Sequence, residues 1–553
     1  MMPLSAAEAA VAGPLSVELD PSWNFDNDVV VLAGGGGRAT LEDLVGRGLQ
    51  RLIVYLPEDS SELPDPRVHT VRTSSELWSA LMLFDPPPHR IVLRRIPGGG
   101  VSPALNREIA NTLQRAATNR ATFASKGEAW VRHSLANMRH LGERPSVSAL
   151  RGKFAKKPAV IVSPGPSLAK NIEGLRELQG RAVFIGGNRS VGPLKRAGMK
   201  ADFVLASDPI DLRYQLEGGL LDDVGALLLD LVVHPRMFEL EAQRYFMFTT
   251  LDAVASATFG ALGEGGLLNS GGSVATTQLR LALELGCDPI LFVGQDLALS
   301  GDRYYIESAP DGDTRINVSG GIGTFENSSV ELKRAVQELG GISESRKATQ
   351  YFVQVRGWEG QPVSTSIQFD NYRRWLEMTV AELQGARRVI NCTEGGAYIQ
   401  AMEHMTLAQA KAEIELSPVD VGGVLDGALE AFDSSKMKKQ VERQVARMQA
   451  ALSAALADVG RCESLISKLT DRAAFRNLEK CERKLRASLA SVPFVTAWDS
   501  AAIEAARRTS ANAASLEDNV RASRALYGVV KDSALKTRPI LAETSRYLRG
   551  GGA

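Results

Sequence analysis

Six short apolar runs between about residues 157 and 300 constrain the fold of this chain more than any other feature. Each run is too short for a helix and ends near glycine or a small polar residue. The runs are PAVIVS, RAVFIGG, ADFVLASD, GALLLDLVV, RYFMFTT and DPILFVGQDL. Apolar strands separated by helical segments, such as GGSVATTQLRLALELG ending at Gly286, are typical of a parallel sheet covered on both faces. This pattern predicts a Rossmann-like α/β central domain.

The residues before this region show the same alternation of short apolar runs and predicted helices over a shorter stretch of chain. Strands are predicted at VVVLA, RLIVYLPE, VHTVRT and HRIVLRRI, and helices at TLEDLVGRGL and SSELWSALMLF. The glycine-rich loops at 34–37 and 95–105 lack the G-x-G-x-x-G spacing, so ordinary turns are favoured over dinucleotide binding. Residues 1–150 are therefore predicted to be a smaller α/β domain with a helical connector.

The last part of the chain is predicted to be helical. Apolar residues recur there at spacings of four and three, a heptad-like seam, at Val441, Val445, Met448, Leu452, Ala455 and Val459. We expect Gly460 to interrupt this seam, which favours a helical bundle over a long coiled coil. The predicted domains are 1–150, a catalytic domain at 151–405 and a helical domain at 406–553.

Charge and cysteine content narrow the classes of protein further. Lys and Arg number 64, as do Asp and Glu, so the formal net charge is zero. This balance argues against a nonspecific nucleic-acid binder. The four cysteines are far apart in sequence, which gives little support to a disulfide framework or a thiolate zinc site. We find no signal peptide and no apolar run long enough to span a membrane, and expect a cytoplasmic protein.

Ligands of parallel α/β sheets bind at the carboxyl ends of the strands, and these ends carry the candidate site residues. The first central strand ends at Ser163, turns through Pro164, Gly165 and Pro166, and enters a helix near Ser167. Glycine allows a ligand to approach the backbone, and a helix start offers N–H groups to an anion. A plain strand-to-helix connection explains this loop equally well.

Four further strand ends or helix starts carry the same residue types. Asn188 and Asp208 follow two strands, Ser270, Gly271 and Ser273 precede a helix, and Gly294 and Asp296 follow the last central strand. Amides, hydroxyls and carboxylates of this kind can hold a base edge, a ribose or a phosphate. Any one of them can be a simple cap, but together they indicate a nucleotide-type ligand.

The sequence segments that carry these residues resemble the motility-associated factor (Maf) family of flagellin glycosyltransferases. The segments are VIVSPGPSL, GGN, SDP, NSGGSVATTQLRLALELGCDPILFVGQDLA and NCTEGGAYI, over about 157–405. The central domain of that family is similar to bacterial sialyltransferases that use CMP-sialic acid. The flanks also fit the family, with an N-terminal α/β domain and a helical C-terminal region.

The resemblance implies a reaction and a set of site residues. A nonulosonic acid of the pseudaminic or legionaminic type moves from its CMP ester to Ser or Thr of flagellin, in flagellum assembly and motility. No metal and no cofactor other than this donor is implied. Tyr304 stands where a tyrosine binds the CMP phosphate in the sialyltransferases. The nucleotide would be lined by Gly165, Pro166, Ser167, Asn188, Ser270, Gly271, Gly294 and Asp296, with Ser273 at the second helix start.

The chain departs from the sialyltransferase pattern at the general base. No histidine lies between Asp296 and His404, and we interpret His404 as a histidine on a helix face. The carboxylates of Asp208, Asp296 and Glu394 are the candidate bases. Tyr372 and Trp375, three residues apart, are interpreted as the inner face of a helix rather than a binding surface.

Two other functions fit the same residues. The central domain also resembles an archaeal hydroxymethylpterin pyrophosphokinase, an ATP-dependent enzyme, although a G-x-x-x-x-G-K-[ST] loop is absent. The missing histidine alternatively fits a non-catalytic flagellin-binding assembly factor. The C-terminal helices can dock flagellin, cap the fold or form an oligomer contact, and the sequence does not decide among these.

Overall fold

The N-terminal apolar runs form a small parallel sheet. The computed structural model of the chain describes residues 29–33, 52–56, 69–72, 76–77, 91–95, 126–327, 329–330, 333, 350–468, 472–498 and 516–550. The four strands pair in the order β3-β2-β1-β4. They are β1 (Val29–Ala33), β2 (Leu52–Tyr55), β3 (His69–Val71) and β4 (Ile91–Arg95). All four predicted strands are confirmed, whereas the glycine loops at 34–37 and 96–105 and most of the two predicted helices lie outside the described residues.

The central runs form a second, larger parallel sheet, so the predicted Rossmann-like domain is confirmed. Its strands are β5 (Ala159–Val162), β6 (Val183–Gly187), β7 (Phe203–Ala206), β8 (Ala226–Asp230), β9 (Tyr245–Phe248) and β10 (Ile290–Val293). The runs are continuous in apolar residues because β5–β8 and β10 are buried along their whole length. Helices Asn188–Arg196 and Val274–Leu285 pack on these strands.

The order of strands in this sheet reverses direction at β5. The eight-stranded order is β16-β15-β10-β5-β6-β7-β8-β9, where β15 is Val389–Asn391 and β16 is Glu403–His404. From β5 the chain adds β6 to β9 on one side, and then returns to place β10 on the other. A doubly wound sheet binds its ligand at such a switch point, because the connections diverge there and leave a crevice.

An antiparallel sheet that the sequence analysis did not predict is inserted between β10 and β15. Its order is β11-β12-β13-β14. The strands are β11 (Arg315–Ser319), β12 (Ile322–Glu326), β13 (Gln350–Arg356) and β14 (Pro362–Ser366). Gly320 and Gly321 join the first two with φ of 56° and 76°, left-handed angles that suit glycine in a two-residue hairpin turn. Helix Ile367–Glu382 follows β14 directly.

The remaining helices are mostly short before residue 430 and long after it. The α-helices are 126–137, then Leu168–Asn171, Asp252–Ala257, Leu407–Glu413, Val421–Glu430, Ser434–Ile466, Arg472–Ala490, Phe494–Ala497 and Leu516–Leu548. The 3-10 helices are Met138–Gly142, Val147–Leu150, Glu173–Leu178, Arg213–Gln215, Pro235–Glu239 and Gly260–Leu262. The predicted helical C-terminal region is thereby confirmed.

The predicted heptad-like seam is buried along its length, but it does not end at Gly460. Val441, Val445, Met448 and Val459 have no exposed surface. The helix continues through Gly460 to Ile466. Nothing lies within 4 Å of the position where a Cβ of Gly460 would stand. Glycine weakens a helix by only about 1 kcal/mol relative to alanine, which the buried seam outweighs.

The chain divides into two compact units, each built from separate stretches. One comprises Met1–Gly127, Asp458–Glu482 and Asp499–Ser533, and the other comprises Glu128–Ala457, Arg483–Trp498 and Ala534–Ala553. In the first unit the buried Tyr527 donates a hydrogen bond to Glu482. In the second, Gln444 donates to the carbonyl of Ala257 at 3.1 Å and Thr544 to that of Leu135 at 3.1 Å. All candidate site residues lie in the second unit.

Candidate functional site

The structure brings the ends of β5 and β10 together at the switch point. Val162 of β5 pairs with Val293 of β10 and with Gly186 of β6. The predicted loops therefore leave the same edge of the sheet at the same level. Gly165, Pro166 and Ser167 follow β5, Asn188 follows β6, and Gly294 and Asp296 follow β10.

Asp296 is the centre of a buried cluster at this switch point. Its side chain accepts hydrogen bonds from the hydroxyl of Ser167 at 2.6 Å and from the Ser167 backbone N–H at 3.2 and 3.3 Å. Asp296 is 4% exposed and Ser167 is 5% exposed. Burial raises the pKa of the Asp296 carboxyl to about 6, against the opposing effect of the Ser167 hydrogen bonds. The carboxylate thus holds the loop after β5 onto the end of β10.

Two glycines of this cluster have no room for a side chain. A Cβ on Gly165 would stand 2.0 Å from Oδ2 of Asp296 and 2.4 Å from the carbonyl oxygen of Gly294. A Cβ on Gly294, whose φ is 71°, would stand 2.2 Å from the carbonyl oxygen of Ser163. The Gly165 N–H donates to the Gly294 carbonyl at 2.9 Å. The Gly165 N–H is therefore used within the protein and is not available to an anion.

The loop after β15 completes the cluster from the other side. The N–H of Ala397 donates to the carbonyl of Asp296 at 2.7 Å. Glu394, a candidate base, has a φ of 57°, and its Oε1 accepts from the N–H of Leu407 at 2.8 Å. Glu394 thus acts as a cap on helix Leu407–Glu413. A Cβ on Gly396 would stand 2.1 Å from the carbonyl oxygen of Asp296. We refer to Gly165, Ser167, Gly294, Asp296 and Gly396 as the Asp296 cluster.

The loop before helix Val274–Leu285 satisfies most of its own hydrogen bonds. The hydroxyl of Thr276 accepts from the N–H of Gly271 at 2.9 Å and from that of Ser273 at 3.3 Å, while the hydroxyl of Ser270 accepts from Gly272. Ser273 and Thr276 form a capping box. The Gly271 N–H, like that of Gly165, is therefore occupied, although the predicted cap at Gly286 is confirmed with φ of 83°.

Tyr372 and Trp375 lie over this loop. A Cβ on Gly271 would stand 2.4 Å from Cγ of Trp375, and a Cβ on Gly272 would stand 3.2 Å from Cε1 of Tyr372. Both aromatic rings also pack against the central core, which confirms the predicted inner face of the helix. Burial raises the pKa of Tyr372, and its neighbours Tyr305 and Asp208 raise it further. Asp208 is only half-buried at the end of β7.

A polar cluster that the sequence did not predict lies beside Asn188. Asn188 is 8% exposed, and its Oδ1 has no hydrogen-bond partner among the described residues. The next residue, Arg189, pairs with Asp311 at 3.0 Å, and its Cζ lies 4.9 Å from the ring centre of Tyr305. We define the Asn188–Arg189 cluster as Asn188, Arg189, Tyr214, Gln215, Tyr305 and Asp311. An arginine directly after a strand-end asparagine was the only sequence signal for it.

Tyr304 lies among aromatic rings at the base of the inserted sheet. Its ring centre is 4.5 Å from that of Phe369 and 6.1 Å from that of Phe352. Tyr304 is 8% exposed. Burial raises the pKa of its phenol, and a hydrogen bond with Ser366 opposes this effect. The predicted role of Tyr304 at a phosphate stays a prediction.

His404 is not on a helix face, which corrects the sequence interpretation. It lies in the two-residue strand β16, because the segment after β15 adds one more parallel strand to the sheet. Its Nε2 lies 2.8 Å from the carbonyl oxygen of Ile399, and its ring stacks on Tyr398 with centres 4.0 Å apart. Burial lowers the pKa of His404, which favours the neutral imidazole.

Three further features of the described residues concern thiols, metal ions and membranes. The four cysteines are buried free thiols. Over the described ranges, no group of three or more His, Cys, Asp or Glu side chains is arranged to hold a metal ion. Among the helices in those same ranges, none combines the length and apolar character needed to cross a membrane.

These observations define an α/β protein of the doubly wound class, with a parallel sheet whose switch point carries the candidate site. A family model described as 6-hydroxymethylpterin diphosphokinase MptE-like matches residues 132–302, which hold β5–β10 and the loops after them. A search of curated proteins finds no match.

A solved structure shares this architecture over nearly the whole chain. The structure is that of the Maf glycosyltransferase from Magnetospirillum magneticum AMB-1, with a TM-score of 0.52 and 15% sequence identity. The similarity covers 96% of this chain and 80% of the other. At 15% identity, this structural similarity shows that the two proteins share a fold. The resemblance to Maf proteins that the strand-end motifs predicted is confirmed at that level.

Proposed function

We propose that this protein is a glycosyltransferase that moves a nonulosonic acid from a CMP donor to Ser or Thr hydroxyls of flagellin. The observation that carries this proposal is the fold shared with a Maf glycosyltransferase across 96% of the chain. The strand-end motifs add residue-level support. The sugar is of the pseudaminic or legionaminic type, the compartment is the cytoplasm, and no cofactor or metal beyond the donor is proposed.

In the proposed reaction the acceptor hydroxyl oxygen attacks the anomeric carbon of the sugar. The bond from that carbon to the phosphate oxygen breaks, and CMP leaves with the electron pair. The hydroxyl proton passes to a base. Positioning the donor and stabilising the charge that develops on the leaving phosphate account for most of the catalysis expected of such a site.

Of the three candidate carboxylates, we propose Asp208 as the base. Asp296 is nearly inaccessible and accepts from Ser167. Glu394 accepts from the N–H of Leu407. Asp208 is half-buried at the end of β7, where its Oδ1 accepts from the N–H of Ile210 at the longer distance of 3.4 Å, and it lies near Tyr372. Asp296 would then support the nucleotide loop rather than exchange protons, and Tyr304 would act near the phosphate.

The first experiment is a thermal-melt series of the purified protein with CMP, CDP, UMP, GMP and ATP. A ligand at about 100 times its Kd stabilises the folded state by about 2.7 kcal/mol, a shift of several degrees. Selective stabilisation by CMP and CDP is expected. The second step is a mass measurement of flagellin incubated with enzyme and a CMP-nonulosonate. An unchanged flagellin mass with a bound, intact donor contradicts the transferase proposal.

A second candidate function rests on the match of residues 132–302 to the diphosphokinase-like family model. That function would transfer a diphosphate from ATP to a hydroxymethylpterin. It predicts thermal stabilisation by ATP and not by CMP, and release of AMP when the pterin is added. The non-catalytic assembly factor predicts flagellin binding without stabilisation by any nucleotide.

A further inference from the structure

Two buried polar groups without partners lie next to each other after β6. Oδ1 of Asn188 and Nε of Arg189 have no hydrogen-bond partner among the described residues. Buried polar atoms are nearly always paired in folded proteins, so two neighbouring atoms without partners call for an explanation, and a bound ligand is one. One group is an acceptor, and the other is an N–H donor on a side chain that is always charged.

Asp311 fixes the orientation of the guanidinium. It accepts from Nη2 of Arg189 at 3.0 Å and also from the Tyr214 hydroxyl at 3.0 Å, Gln215 Nε2 at 3.4 Å and the Ser329 hydroxyl at 2.5 Å. The Asp311 side chain is 2% exposed and that of Arg189 is 23% exposed. Three neutral donors thus hold the carboxylate, which accepts from Nη2 of Arg189, while Nε of Arg189 makes no hydrogen bond with the described residues.

Arg189 borders the same edge of the sheet as the candidate nucleotide residues. It is in the first turn of helix Asn188–Arg196, which starts at the end of β6. A Cβ on the preceding Gly187 would stand 2.9 Å from Cγ1 of Val274, at the start of helix Val274–Leu285. The Tyr305 ring packs on Arg189, and Tyr305 in turn neighbours Tyr372, which lies over Gly272.

We infer that Arg189 binds the anionic group of the nucleotide-sugar donor, with Asp311 as the residue that positions it. A guanidinium with one N–H that has no partner among the described residues, beside an aromatic ring and in a partly desolvated place, suits a phosphate or a carboxylate. The CMP phosphate and the sugar carboxylate share this chemistry. The identity of the donor rests on the proposed function, whereas the anion role of Arg189 does not.

The test compares Arg189→Gln with the wild-type protein by calorimetry. The probes are cytidine, CMP, CMP-N-acetylneuraminic acid and inorganic pyrophosphate. Loss of a charge-assisted hydrogen bond is expected to weaken binding of the anionic probes about 10- to 100-fold. Cytidine, which has no anionic group, is expected to bind equally to both proteins. Arg196→Gln is the matched control, since Arg196 is an exposed arginine of the same helix that contacts the Ser308 carbonyl.

The pattern of losses identifies which anion Arg189 binds. Weaker binding of CMP as well as of the CMP-sugar assigns it to the phosphate, and weaker binding of the CMP-sugar alone assigns it to the carboxylate. Unchanged affinity for every anionic probe overturns the inference, as does an equal loss in Arg196→Gln. If the wild type binds pyrophosphate through Arg189 but no cytidine nucleotide, the proposed donor is wrong while the anion site stands.

The positioning role of Asp311 has a separate readout. Asp311→Asn is expected to raise the KM for the donor three- to tenfold with little change in kcat, and to add nothing further in the Arg189→Gln background, because the two residues act through one contact. A melting temperature within the range of the Arg196→Gln control shows that the variant is folded. Additive losses in the double variant contradict the positioning role.

Discussion

The Asp296 cluster and the Asn188–Arg189 cluster lie on the same edge of the central sheet, on either side of β5, yet they differ in hydrogen bonding. In the first, the Asp296 carboxylate is matched by the N–H and hydroxyl of Ser167. In the second, Asn188 Oδ1 and Arg189 Nε have no partner among the described residues. We therefore expect the Asp296 cluster to act as the frame of the site and the Asn188–Arg189 cluster to bind the ligand.

Gly165→Ala is the largest expected perturbation of the frame. The new Cβ would stand 2.0 Å from Asp296 Oδ2 and 2.4 Å from the Gly294 carbonyl oxygen. Both the carboxylate and the backbone have to move, which we expect to cost about 3 kcal/mol of unfolding free energy. Denaturant unfolding measures this change.

Gly460→Ala is the control, since open space surrounds its Cβ position within the helix. That substitution is expected to stabilise the protein by about 1 kcal/mol. A Gly165→Ala protein as stable as wild type would show that the loop after β5 is loose, and the contrast between the clusters would be lost.

The pH dependence of the unfolding free energy is a second test of whether Asp296 belongs to a buried cluster. Burial raises the pKa of folded Asp296 to about 6, above its unfolded value. The folded state therefore binds the Asp296 proton more tightly than the unfolded state does. The stabilisation from this proton is complete below about pH 4 and is lost as the pH rises through about 6. Relative to Asp296→Asn, the wild type should lose about 2 kcal/mol over this window.

Unfolding free energies of both proteins between pH 4 and 7 provide the measurement. Burial lowers the pKa of His133 and of His140 to about 4, which gives a slope of the opposite sign in the same window. That slope is common to the two proteins and cancels in their difference. A difference that is constant with pH would mean that the Asp296 carboxylate is solvated rather than part of a buried frame.

Tyr304→Phe distinguishes a packing role of Tyr304 from a catalytic role of its phenol at the departing phosphate. The substitution keeps the ring against Phe369 but removes the hydroxyl that bonds with Ser366, at a cost of about 1 kcal/mol in stability. If the phenol assists the departing phosphate, kcat should fall more than donor affinity. Equal losses of kcat and affinity, measured by steady-state kinetics and calorimetry, would assign Tyr304 to packing alone.

Asn188→Ala should have the smallest effect on stability. The Oδ1 it removes has no partner among the described residues, so we expect a stability change below about 0.5 kcal/mol. CMP binding should weaken about tenfold, because the amide is proposed to contact the nucleotide. Asp296→Ala provides the contrast, with a stability loss of about 2 kcal/mol together with weaker CMP binding.

Thermal melts and calorimetry on these two variants decide the comparison. If Asn188→Ala destabilises the protein as much as Asp296→Ala does, then Asn188 belongs to the frame. The distinction between a satisfied cluster and a binding cluster would then not hold.

Much of the fold could be predicted because local signals agreed with one another. Each central strand is apolar along its length, since both faces of a parallel sheet are covered, and Gly286 ends its helix in the left-handed conformation that glycine favours. The inserted antiparallel sheet was missed because β11, β12 and β14 are partly exposed and mix polar with apolar residues, so their apolar pattern is weak. Gly460 was misread as a break because buried contacts along the seam outweigh a local preference.

The site residues were harder to predict than the strands. The sequence placed Asn188, Asp208 and Asp296 at strand ends, and the parallel register does bring those ends to one edge. It did not reveal that the N–H groups of Gly165 and Gly271 are used internally. Asp311 is 122 residues from its partner Arg189 along the chain, so no local pattern connects them.

The sequence by itself determined the strands β1–β10 of the two parallel sheets, the buried face of the C-terminal helix and the strand-end positions of the candidate residues. These depend on periodicity and on backbone preferences, which act over a few neighbouring residues. Only the tertiary structure decided which polar groups are paired and which have no partner among the described residues, as for Asp296 and for Nε of Arg189. Pairing depends on distances between segments far apart in the chain, and those distances exist only once the sheet has assembled.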